Sequence, residues 1–143
     1  MSVAQAETKS AVDDIIFRST GIGVSDLAKS TDFYTRILGM THVQTLKLDY
    51  MDENILAYPA ENFARGSRLV LMHWTDGSKR DYKNLPVKLV LQVKDAKAVV
   101  ERVRAEGFEV MREAGKSKAS NNTVAFVKDP DGYMIELLQP AQG

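Results

Sequence analysis

Cysteine is absent from the 143-residue chain. Thiolate catalysis, cysteine-ligated zinc and a disulfide scaffold are thereby excluded. Histidine is scarce, with His42 and His73 the two present, so few imidazoles are on hand for a transition metal or for acid–base work. Neither sign of charge is in excess: 19 lysines and arginines balance 19 aspartates and glutamates. That balance argues against non-specific binding to nucleic acid or to an acidic membrane surface. No apolar run approaches the roughly 18 residues that a membrane span needs. Residues 1–14 also lack the basic start and apolar stretch of a secretory signal. The expectation is a cytoplasmic protein with no nucleic-acid or membrane partner.

The residues that are present describe an ordinary globular chain, 44% hydrophobic and 27% charged. A domain of this length buries roughly 70% of the surface its unfolded chain exposes, so it needs no staple to hold together. Residues 1–14 are small, polar and aperiodic and read as a loose arm. Residues 15–24 read as a strand, and Ser25-Asp26 supplies a helix N-cap. Leu27, Phe33, Tyr34, Ile37 and Leu38 then recur at helical spacing up to Gly39. Strand-like stretches follow at 41–48, 54–58 and 68–74, and the polar stretch 75–84 reads as a linker.

The same order then recurs. Residues 87–93 form a strong strand, Lys94-Asp95 opens a second helix that stops at Gly107, and strands follow at 108–111, 123–127 and 133–139. Asp129-Pro130-Asp131-Gly132 between the last two is a turn: proline presets one φ and glycine permits a positive one. The expected organisation is an N-terminal arm (1–14) and a single α+β domain (15–143) of two βαβββ modules. Module one covers about 15–75, the linker 76–86 and module two about 87–140.

Two stretches carry a family resemblance. The first runs Val24-Ser25-Asp26-Leu27-Ala28-Lys29-Ser30 through Phe33-Tyr34 to Ile37-Leu38-Gly39-Met40. The second is Asp129-Pro130-Asp131-Gly132-Tyr133 followed by Ile135-Glu136-Leu137. Together with the strand order they make the chain resemble the glyoxalase/bleomycin-resistance/extradiol-dioxygenase superfamily, the vicinal oxygen chelate fold. The motif wording is nearest to its lactoylglutathione lyase branch. The resemblance implies two modules curled into a half-open β-barrel around a small-molecule cleft, and it implies a homodimer. In metal-using relatives four strands place ligands in that cleft. Carried over one position at a time, those ligands fall at Ser19, Leu71, Lys88 and Glu136, of which Glu136 alone is a metal donor of the expected kind. The expectation is therefore no metal and no cofactor.

Strand alternation tests that placement independently. On 87–93, Lys88, Val90 and Gln92 point one way, and Leu89, Leu91 and Val93 the other, so Lys88 and Gln92 line the cleft. Met134, Glu136 and Leu138 share a face, which leaves Glu136 a lone carboxylate between apolar neighbours, a placement that costs several kcal/mol unless it is paired. The Lys88 ammonium is expected to replace the missing metal charge and pair with Glu136. His73, two residues beyond Leu71, is expected on the same cleft face as a helper. Trp74, Tyr58 and Met134 are expected to build an apolar, adaptable wall, with 54–67 as a flap above it. Three accounts of function follow. One is a metal-independent lyase or isomerase with Glu136, Lys88 and His73 as catalytic groups and Ser19, Leu71, Gln92, Trp74, Met134 and Tyr58 around the substrate. The second is a non-catalytic protein that sequesters a drug or metabolite. The third is a metal-dependent lactoylglutathione lyase.

Overall fold

A computed structural model describes residues 17–59, 67–82 and 85–142. The arm expected at 1–14 and residues 60–66 of the flap expected at 54–67 lie outside the described residues. Strand β1 (Ser19–Gly23) leads into helix α1 (Leu27–Asp32), which widens into a π-helical turn at Phe33–Ile37. Strands β2 (Thr41–Lys47), β3 (Met51–Ala57) and β4 (Arg68–Trp74) complete the first module. The second repeats the pattern with β5 (Lys88–Gln92), α2 (Ala96–Ala105), β6 (Val110–Lys116), β7 (Thr123–Lys128) and β8 (Met134–Gln139).

Each module is a four-stranded mixed sheet, in the orders β1-β4-β3-β2 and β5-β8-β7-β6. In each, the first strand runs parallel to the last, and the remaining pairs are antiparallel. The two modules are the same fold drawn twice. Matching caps start their helices: the Asp26 carboxylate accepts from Lys29 N at 2.9 Å and that of Asp95 from Ala98 N at 3.0 Å. Matching glycines stop them, at φ +78° for Gly39 and +83° for Gly107, a backbone state that a side chain resists.

Among the described residues, two strands depart from the expected bounds by three residues or more. β3 begins at Met51, three residues early, because Asp52 and Glu53 are held by neighbours on both sides although neither looks like a strand residue. β6 continues to Lys116 rather than ending at 111. Its register with β7 shifts between Val110 and Arg112 and again between Arg112 and Gly115. Such irregularities erase the alternation by which a strand is read.

One apolar core joins the modules. Ile22, Phe33, Ile37, Leu56, Leu69 and Leu71 from the first pack in it with Val100, Val103, Ala125, Ile135 and Leu137 from the second. Phe33 meets Phe108 edge to face with centroids 4.8 Å apart. At its edge Arg36 pairs with Asp32 at 2.8 Å and reaches Glu106 of the other module at 2.7 Å.

The core also contains a polar lock. The buried Asp129 carboxylate accepts from Tyr34 Oη at 2.7 Å, from Asp131 N at 2.9 Å and from Tyr133 N at 2.8 Å. Tyr133 Oη in turn donates to the Gly23 carbonyl at 2.7 Å, and Asp131 accepts from Ser25 N at 3.1 Å and from the Ser25 hydroxyl. The helix-one motif and the Asp-Pro-Asp-Gly turn, about a hundred residues apart, are therefore two halves of one contact. Among the described residues no buried side-chain N or O lacks a partner. Burial, and after it the Asp129 charge, push the Tyr34 phenol well above its ordinary value of 10.0, so it stays a donor.

Two outcomes follow from the lock. Tyr34→Phe strands one oxygen of a buried carboxylate and should cost about 1–3 kcal/mol in urea denaturation, with the denaturant slope unchanged. A loss below about 0.5 kcal/mol would contradict this account. Burial raises the Asp129 carboxyl above its ordinary 3.8, a push that outweighs the downward pull of its hydrogen bonds. A raised acid binds its proton more tightly folded than unfolded, so ionised Asp129 opposes folding, and does so fully above its folded pKa. The stability of the protein minus that of Asp129→Asn should accordingly fall as pH rises from 3.8. A gap that widens with pH would refute it.

Candidate functional site

The side of each sheet away from its helix is where the expected cleft residues are to be sought. On β5 the residues facing this open side are Lys88, Val90 and Gln92, all exposed, while Leu89 and Leu91 turn toward the core. On β8, Ile135 and Leu137 are fully buried under α2, which turns Met134, Glu136 and Leu138 to the open side. Glu136 sits in register with Val90 on one flank and Phe126 on the other. Its carboxylate therefore lies in an apolar wall of Val90, Phe126, Met134 and Leu138.

Lys88 relieves that position. Its Nζ lies 2.8 Å from Glu136 Oε2, with side-chain exposures of 46% for Lys88 and 14% for Glu136. The pairing is diagonal, since Lys88 itself is in register with Met134, one pleat before Glu136. The anion is mostly withdrawn from water and the cation is half out of it. Such a pair can hold a negative group and a mobile positive one side by side, next to whatever small molecule rests on the wall.

The internal repeat identifies the counterparts in module one. Ser19 is in register with Arg68, as Lys88 is with Met134, so the residue that corresponds to Glu136 is Val70, two beyond Arg68. The expectation that Leu71 lines the cleft is corrected on this point. Leu71 and Leu69 are buried in the core beneath α1, and the open side takes Val70, Met72 and Trp74. The physical reason is that β4 reads Arg-Leu-Val-Leu-Met-His-Trp. It is apolar on both faces, so its pattern does not say which face is which, and an error of one residue moves every side chain to the other side.

His73 shares Leu71's face and is corrected with it. Its Nδ1 donates to the Val24 carbonyl at 3.0 Å, on the helix side and away from Lys88 and Glu136. Tyr58 is also on the helix side, where its hydroxyl donates to the Leu38 carbonyl at 2.8 Å and closes the end of the first helix. Burial lifts its phenol to about 12. Of the residues singled out from sequence, the structure gathers Lys88, Gln92, Met134 and Glu136 on the open side of module two, and Ser19 and Trp74 on that of module one. It excludes Leu71, His73 and Tyr58 from both.

Where β1 meets the end of β4, the open side of module one is apolar. Met72 lies across Gly21 and Trp74 across Gly23: a methyl group on Gly21 would meet Met72 Sδ at 3.2 Å, and one on Gly23 would meet Trp74 Cζ3 at 2.9 Å. Glycine at these two positions lets the large side chains lie flat on the strand. Arg80, from the segment after β4, covers Trp74 with its guanidinium carbon 4.0 Å from the ring centroid. Tyr82 comes beside Gly23. Phe126 was legible in principle from the alternation of Val124, Phe126 and Lys128. Arg80 and Tyr82 were not, because an irregular linker has no period to read.

These residues do not fit a divalent metal. Among the four equivalent positions, Ser19, Val70, Lys88 and Glu136, one is a carboxylate, and an ammonium holds it. Among the described residues no three or more His, Asp or Glu side chains form a group that could hold an ion. No described helix is long and apolar enough to cross a membrane.

Comparison with known proteins agrees with the architecture. The profile of the Glyoxalase/Bleomycin resistance protein/Dioxygenase superfamily matches residues 16–137. Lactoylglutathione lyase of Neisseria meningitidis is 36% identical over 126 residues, 87% of this chain and 90% of that one. A V278E mutant of glyoxalase I from Zea mays superposes with a TM-score of 0.81 at 24% identity, over 98% of this chain and 50% of the maize chain. This chain thus spans about half the length of the maize protein. The trypanothione-dependent glyoxalase I of Leishmania major superposes with a TM-score of 0.71 at 28% identity, over 88% of this chain and 87% of that one. With its paired modules, its profile match and its Neisseria relative, the chain belongs to the glyoxalase/bleomycin-resistance/dioxygenase superfamily.

Proposed function

We propose that this chain is a lyase or isomerase that acts without a metal on a small, partly apolar molecule bound on the open side of its sheets. The observation that supports it is the Lys88–Glu136 pair, 2.8 Å apart within an apolar wall. Glu136 takes a proton from the carbon next to a substrate carbonyl, and the electrons of that C–H bond move onto the carbonyl oxygen. Lys88, half exposed and free to swing, donates a hydrogen bond to the resulting enolate. Return of the proton to a neighbouring carbon gives an isomerisation, and departure of a group from that carbon gives a lyase step. Gln92 and Met134 border the pair and Trp74 lies on the other module's wall. The single domain at 15–143, divided at the 76–86 linker, and a cytoplasmic location belong to the same proposal.

A second copy of the chain completes the site in this reading. Val90, beside Glu136, is apolar and 52% exposed, and a homodimer that sets module one of a partner over it would remove it from water. The size of the maize relative, about twice this chain, supports the pairing. Light scattering should return twice the 15.9 kDa chain mass, and Val90→Asp should shift that mass toward the monomer. A monomer at tens of micromolar would refute the dimer.

The name of the Neisseria relative makes lactoylglutathione the first molecule to assay. Turnover of lactoylglutathione, or of the substrate eventually found, should be unaffected by a chelator and should fall at least 100-fold in Glu136→Gln while the melting temperature holds. Activity that appears only with added Ni²⁺ or Zn²⁺ would favour the metal-dependent lyase instead. Tight ligand binding with no product, unchanged by Glu136→Gln, would favour sequestration, for which the apolar Met72–Trp74 wall suffices.

A further inference from the structure

We propose that Arg80, held over Trp74, is a recognition site for a carboxylate carried on a planar, apolar body. The proposal deepens the small-molecule reading above and rests on it. Three observations carry it. The first is the stack: the guanidinium carbon lies 4.0 Å from the Trp74 ring centroid. A guanidinium that uses its flat face on an aromatic ring keeps its N–H edge for in-plane hydrogen bonds, the arrangement that a carboxylate meets with two oxygens.

The second is that this edge is open. Arg80 Nη1 donates to the Lys79 carbonyl at 3.1 Å, and among the described residues Arg80 forms an ion pair with no carboxylate. The nearby Asp76 is engaged within its own turn, where its Oδ1 accepts from Ser78 N at 2.9 Å and Ser78 Oγ at 2.5 Å. Asp131 is committed to Ser25, just before the first helix. The third is the ground beneath. Met72 and Trp74 lie flat across Gly21 and Gly23, Met51 is in register with Trp74, and Ile55 is in register with Val70. Apart from the Glu53 carboxylate, the floor is thioether, indole and aliphatic carbon, which suits a flat hydrocarbon body. Glu53, in register with Met72, is the acidic residue of this floor, and it discourages a second negative group away from Arg80.

The test uses the fact that Trp74 is the sole tryptophan, so its emission reports this contact. Benzoate and its uncharged isostere benzamide are titrated into the full-length protein, followed by tryptophan emission and by calorimetry. Benzoate should give a saturable response in both, with benzamide at least tenfold weaker. Arg80→Gln, a change at an exposed position that should leave the melting temperature intact, should reduce benzoate to the level of benzamide. No saturable benzoate signal in either measurement would overturn the proposal. Equal binding of the two probes, or full benzoate affinity in Arg80→Gln, would overturn it too. A null effect of Glu136→Gln on turnover would sink the catalytic reading and leave this result untouched.

Discussion

The hydrogen bond from Tyr34 to the buried Asp129 is the constraint on which the rest of the molecule depends. It ties the first helix of one module to the last turn of the other, and the same turn then anchors Ser25 and the Gly23 carbonyl. Each module alone would expose the apolar residues that it contributes to the joint core. Joined through this polar lock, the two share one core, and their open sides are fixed in orientation. A buried carboxylate is costly to place, and the cost is met here by three donors converging on it. In return, the arrangement is specific: another packing of the same two modules would take away Tyr34, the donor that Asp129 receives from the other module.

The site on module two solves a related problem differently. Glu136 also sits among apolar neighbours, but its partner is a flexible lysine at the edge of solvent rather than a rigid set of donors. Asp129 is over-determined, with Tyr34 and two backbone N–H groups around it, and belongs to architecture. Glu136 has one charged partner, at the edge of solvent, and the proposed chemistry rests on that pair. The equivalent positions of the two modules are Ser19 and Val70 in the first and Lys88 and Glu136 in the second. The positive charge there is covalently attached to the protein.

Much of this was legible in the residues. Aspartate caps, glycine stops and the repeated strand order marked both modules. The clean alternation on β5 and β8 is enough to place Lys88 and Glu136 on one face. Where alternation failed, so did the reading. β4 is apolar on both faces, so Leu71 and His73 were assigned to the cleft although their face packs under the first helix. Tyr58 looked like a wall residue because nothing local showed that its hydroxyl reaches the end of that helix. β6 was cut short because its irregular register hides the period. The two motifs carry the family resemblance, but that they touch each other, and that Arg80 returns over Trp74, are contacts made by the fold and are absent from any window of sequence.

A double-mutant cycle on Lys88→Met and Glu136→Gln, read as urea-denaturation free energies at low and high salt, tests the central claim most directly. If the ammonium satisfies the carboxylate, each single change strands a charge. The double variant should then be less destabilised than the sum of the singles by at least about 0.5 kcal/mol, and added salt should shrink that coupling. Strict additivity at low salt would mean that the two charges do not depend on each other, and the account of the site would fall.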